Sequence, residues 1–297
     1  MSRRQVPYPR FEPTPHPAAH PHRRRAGGRR RTCVRRKTGA VAFDLIDKYV
    51  GILLDVDLSG VPRGATVVME SPRRLRRELS YGYVHALWWV WLDDGRSVIS
   101  VPPGSGRNIS QLVDGIQDSG AVLNANLAAR LQVPINSALE TAGLPHTDRA
   151  LFDLVFACNG ELLRSQASTL CQRISDPAIP VAAGIHVPAQ CIADGAVFGR
   201  VVDGTVVSAA YAHRSGVMQD RIADIGVETA LNYRRQGFGK SAVSALVGDF
   251  TKRGGEARYG CSPKNVASIA TAKAVGFVPY AKSMILSARH GKEGISK

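Results

Sequence analysis

Arg234-Arg235-Gln236-Gly237-Phe238-Gly239-Lys240 sets two glycines and three cations at a turn that opens into the apolar-periodic segment Ser241 to Phe250. A turn that enters a helix offers unpaired backbone N–H groups and the positive end of the helix dipole. That combination suits a phosphate or pyrophosphate, and the glycines let the backbone approach it closely. Just upstream, Asp224 and Glu228 lie in Arg221 to Thr229, where apolar residues alternate at Ile225 and Val227. Their even separation puts both carboxylates on one face of a strand, where either could accept a proton. Downstream come Asn265-x-x-Ser268 and the pair Gly276-Phe277. The five cysteines (Cys33, Cys158, Cys171, Cys191, Cys261) show no CxxC spacing, which argues against zinc and disulfides and fits a reducing cytoplasm.

The elements needed to position these groups can be read along the chain. Ala196 to Val202 and Thr205 to Ala212 flank Asp203-Gly204, a hairpin signal, with Tyr211 and His213 at its far end. His213 fits either a substrate pocket or a turn. The strand at Arg221 to Thr229 leads through the glycine turn into a helix stopped by Arg253-Gly254-Gly255. Ala257 to Cys261 is a short strand, and a second helix runs from Val266 to Val275 and ends at Gly276.

This order, with Arg234-x-x-Gly237-x-Gly239, Asn265-x-x-Ser268 and Gly276-Phe277, resembles the acetyl-CoA site of the GNAT acetyltransferase superfamily. The resemblance covers roughly residues 177 to 288. It implies an α+β domain over residues 176–290, a mixed, mostly antiparallel sheet flanked by helices. It also implies acetyl-CoA as cosubstrate, held by Val227, Thr229, Arg234, Arg235, Gln236, Gly237, Phe238, Gly239, Lys240, Asn265 and Ser268. The expected reaction is direct acetyl transfer to a primary amine, with a backbone N–H near Glu228 or Thr229 polarising the thioester carbonyl. Glu228 is the first choice of base and Asp224 the second. Many family members carry a tyrosine four residues before Gly-Phe; here that position is Ala272. Ser268 as a proton relay or a helix-packing residue, Tyr259 and Tyr280 stand as the alternatives. A small-molecule amine is the expected acceptor, and the long N-terminal half is similar to that of antibiotic self-resistance acetyltransferases such as those for zwittermicin. A protein acetyltransferase and a non-catalytic acetyl-CoA-binding module are the rival readings. Monomer and homodimer both remain open.

A net charge of +15 suggests nucleic acid until it is located. Residues 1–39 contribute +11, with six prolines before position 22, so the remainder carries only +4. The basic segment cannot bury enough apolar surface to offset its ordering entropy and reads as disordered. It fits nonspecific contact with acidic surfaces, or translation from upstream of the true start. An export signal is excluded because no apolar run follows the arginines. Specific nucleic-acid binding is not expected, and no apolar stretch reaches membrane-spanning length.

Residues 40–175 read as an N-terminal α/β region, a candidate degenerate copy of the same fold, with a boundary near 140 to 176. A helix is expected over Val41 to Leu54 and a strand over Ala65 to Glu70. Ser71-Pro72 would cap a basic helix with a solvated face. Val84 to Leu92 and Ser97 to Val101 form a hairpin whose three tryptophans fill core or interface. Helices are expected over Ile109 to Ile116, Leu123 to Leu131, and within 147–173, with Thr147 as a cap.

Overall fold

The computed structural model describes residues 41–77, 83–164, 170–213 and 215–289; the expected disorder of residues 1–39 lies outside them. The described residues from 42 to 289 form one compact unit. In chain order the elements are α1 (Asp44–Leu54), β1 (Thr66–Glu70), β2 (Tyr83–Leu92), β3 (Ser97–Val101), α2 (Gly106–Val113), α3 (Ala125–Thr141) and β4 (Arg149–Cys158). They continue with β5 (Gln172–Arg173), α4 (Ala189–Ala193), β6 (Val197–Val202), β7 (Thr205–His213), β8 (Ile222–Thr229), α5 (Phe238–Lys252), β9 (Glu256–Cys261), α6 (Val266–Val275) and β10 (Val278–Arg289).

All strands join one ten-stranded sheet in the order β1-β3-β2-β10-β4-β9-β8-β7-β6-β5, mixed and mostly antiparallel. Among the described strands, β1–β3 and β8–β9 pair in parallel and the other pairs are antiparallel. The expected boundary near residue 175 does not divide this sheet, because β4 inserts between β9 and β10 and pairs with both.

The expected hairpins form with their turns in place: β2 with β3 about Asp93-Asp94-Gly95, and β6 with β7 about Asp203-Gly204. The tryptophans are core, and two of them use their indole N–H groups: Trp88 donates to Ser283 Oγ and Trp89 to Ser97 Oγ, each at 2.9 Å. Three expectations are corrected. Residues 149–158 are a strand, not a helix: β4 is covered on both faces, so its apolar residues run almost continuously and carry no readable period. Thr147 accordingly caps no helix and instead donates its N–H and hydroxyl to Asn136 Oδ1. The third helix extends to Thr141 and passes through Pro134. The basic run after Ser71 is a single 3-10 turn, Pro72–Leu75, and Arg74 is fully buried, donating to the carbonyls of Leu53 and His85.

Candidate active site

The site grows from the place where two neighbouring strands part. The parallel pairing of β8 with β9 runs from Ile222↔Glu256 to Ile225↔Tyr259 and stops there. Beyond it β8 continues to Thr229 paired only with β7, while β9 continues to Cys261 paired only with β4. The backbone of Gly226 to Thr229 therefore borders an opening with one edge unpaired by any strand. That edge can receive an extended polar chain as a further strand would.

The glycine turn closes one end of the opening. Gly237 has φ of 80° at the N-cap of α5, and Arg235 has φ of 63°, so the turn passes twice through left-handed backbone. Gly239 eases a second approach: a Cβ there would lie 3.2 Å from Thr229 Oγ1, a tight contact that would make the Thr229 side chain give way by a few tenths of an ångström. The first residues of α5 border a cleft of about 650 Å³, which is lined by eleven of the thirteen sequence-predicted residues. These are Val227, Glu228, Thr229, Arg234, Arg235, Gly237, Phe238, Gly239, Lys240, Asn265 and Ser268. Gln236 does not line it; its amide turns back to the Asn232 carbonyl at 3.3 Å. Asn265 Oδ1 caps α6 by accepting from the Ser268 N–H at 3.0 Å.

Tyr259 lies at the floor of the cleft, donating its hydroxyl to Ser268 Oγ at 3.3 Å while its ring packs against Phe277. Burial raises the Tyr259 phenol, so it holds its proton at neutral pH. Tyr280, the other candidate, points elsewhere and donates to Asp47 at 2.7 Å. Tyr259 had no motif to announce it, only its place at the strand end.

The opposite face of β8 is polar. Asp224, Gly226 and Glu228 alternate along it, and a Cβ on Gly226 would strike the Tyr211 ring at 2.4 Å and His213 Nε2 at 2.9 Å. The missing side chain makes room for those two rings, which meet edge to face with centroids 5.0 Å apart. Asp224 is committed to Arg258 at 2.7 Å and also accepts from the Tyr49 hydroxyl at 3.4 Å. Arg258 is buried, and the neighbouring Asp224 carboxylate holds its guanidinium firmly protonated. Glu228 accepts from the His186 backbone N–H at 2.5 Å and reaches the cleft itself. Burial lowers His213, so its imidazole is neutral at pH 7. Burial also raises Cys261 to about 11, which makes it a poor nucleophile at neutral pH.

No group of His, Cys, Asp and Glu among the described residues is arranged to hold a metal, and no described helix is long and apolar enough to cross a membrane. Residues 175–277 match the family model of the acetyltransferase (GNAT) family. Among solved structures, the chain is similar to a GNAT-family protein from Novosphingobium aromaticivorans at 15% identity, covering 49% of this chain and 68% of that one, with a TM-score of 0.38. A GNAT-family acetyltransferase from Colwellia psychrerythraea matches at 20% identity over 55% of this chain and 62% of the other, with a TM-score of 0.36. A tandem GNAT protein from the clavulanic acid biosynthesis pathway matches at 12% identity over 53% and 59%, with a TM-score of 0.33. No curated protein matches the chain.

Proposed function

We propose that the chain, whose residues 175–277 match the acetyltransferase (GNAT) family model, transfers an acetyl group from acetyl-CoA directly to the primary amine of a small molecule. The observation that carries the reading is the meeting, in one cleft, of the β8–β9 opening with the glycine turn at the N-terminus of α5. In this reading the first α5 amides, with Arg234, Arg235 and Lys240, hold the pyrophosphate. The pantetheine arm runs along the unpaired edge of β8. A β8 amide near Glu228 or Thr229 polarises the thioester carbonyl, and the amine approaches from the face bearing Glu228.

Glu228 accepts the proton the amine must lose, its carboxylate being the one on that face that also reaches the cleft. Asp224 orients Arg258 and leaves the proton to Glu228. As nitrogen bonds to the carbonyl carbon, the carbon–sulfur bond breaks. The Tyr259 hydroxyl, backed by Ser268, gives the leaving thiolate its proton.

Calorimetry with CoA and a free-thiol assay over an amine panel test this. Stoichiometric CoA binding and amine-dependent thiol release are expected. Gly237→Asp should abolish binding, since it sets a negative side chain on left-handed backbone at the cradle. Unchanged CoA affinity in a folded Gly237→Asp protein would remove the cradle, and binding without turnover on any amine would make the domain a sensor.

A further inference from the structure

Near the carboxylates of β8 stands a third that acetyl transfer as described does not use. It is Asp153, on β4, outside the matched family segment. Its place follows from register. Three residues beyond the last β8–β9 pair, Ile225↔Tyr259, Glu228 comes level with Ser262. One residue beyond the β4–β9 pair Leu154↔Cys261, Asp153 comes level with the same Ser262. Asp153 also shares a face with Glu228. Val155 and Ala157, at even separations from Asp153, pack in the core under α1, and Arg258, level with Ala157, bonds Asp224 on the Glu228 face. Glu228 and Asp153 thus stand on opposite rims of the opening, on strands β8 and β4, with β8 and β9 no longer paired between them.

Asp153 is mostly shielded from solvent, yet its carboxylate receives no hydrogen bond from any described residue. The charges around it are Arg258 on β9, Asp224 on β8 and Arg149 on its own strand. Arg258 is already spent on Asp224 at 2.7 Å. A shielded carboxylate without a donor is costly, and a ligand that supplies one removes that cost.

We propose that Asp153 determines specificity by binding a second ammonium group of the substrate, so that the preferred acceptor is a short diamine: one nitrogen at Glu228 is acetylated and the other is held at Asp153. The inference rests on the acetyl-transfer reading. It makes β4 part of the amine site as well as a structural strand of the sheet.

The test compares 1,4-diaminobutane, 4-aminobutan-1-ol and 1-aminobutane as substrates for the full-length protein and for Asp153→Asn, with melting temperature as the check on folding. The wild type should show kcat/KM for the diamine at least about tenfold above both monoamines, the worth of one charge-assisted hydrogen bond. Asp153→Asn should lose that preference through KM, its kcat/KM for the diamine falling to the level of the monoamines. As a readout independent of turnover, the diamine should raise the melting temperature of the CoA-bound wild type and leave that of the CoA-bound variant unchanged. Equal rates on the three amines in the wild type, or a diamine preference that survives Asp153→Asn, would overturn the assignment while leaving acetyl transfer itself intact. If Asp153→Asn will not fold, Asp153→Glu serves: it should keep a diamine preference and shift it toward a shorter spacing, and an unshifted preference would count against the site.

Discussion

The two carboxylates of β8 share a face yet have different surroundings, which separates their duties. Asp224 faces a guanidinium at 2.7 Å and a phenol; Glu228 faces a backbone amide and the cleft. Glu228→Gln should therefore keep CoA affinity and lower kcat by roughly 10²–10⁴-fold, the range for loss of a general base. The loss should shrink at high pH, where the amine arrives neutral. Asp224→Asn should act mainly on the fold, costing about 3 kcal/mol or more by stranding a buried arginine. Thermal melts beside pH–rate profiles distinguish them; a pH-rescued rate loss in Asp224→Asn, with none in Glu228→Gln, would reverse the roles. Most of the cradle was legible because glycine spacing and a strand-to-helix switch are local signals. Tyr259 could be named only as one alternative and Asp153, proposed above, not at all, since each is placed by strand register, which depends on residues far away in the chain.

Among the elements, the hairpins were the easiest to read: turn residues at Asp93-Asp94-Gly95 and Asp203-Gly204 fix them locally. β4 was the hardest, because a strand covered on both faces loses its alternation. The pairing of β2 with β10 carries a pH device of its own. His85 on β2 is buried, its Nδ1 lies 2.9 Å from Ser287 Oγ on β10, and burial, aided by Arg74 and Arg149, pushes it down to about 4. The unfolded chain binds a proton on this histidine below about pH 6.5, and the folded chain does so only below about 4. Its contribution is therefore complete above pH 6.5 and lost as pH falls through that window. Denaturant titrations from pH 7 to 4 should show a fall in stability of a few kcal/mol that His85→Gln flattens. An identical slope in the variant would mean that His85 titrates normally.

At the scale of the whole molecule, the question is whether the cleft and the tryptophan-bearing strand belong to one cooperative body. They share a sheet: β9 borders the cleft and pairs with β4, β4 pairs with β10, and β10 pairs with β2, which carries Trp88, Trp89 and Trp91. Strand β4 also packs its two faces into different cores, Val155 and Ala157 beneath α1 and Phe156 and Cys158 beneath α5 and α6. Undoing either core exposes the other. Binding at the glycine turn should thus stabilise the tryptophans without touching them. At a hundredfold excess of CoA over its Kd, linkage contributes about 2.7 kcal/mol. For a domain of this size that raises the melting temperature by roughly 5–10 °C. Unfolding followed by tryptophan fluorescence should shift by that amount, in step with far-UV circular dichroism and in a single transition. A fluorescence transition that stays put while a second, CoA-sensitive one moves would show two independent domains meeting near residue 175 and would deny β4 its bridging place.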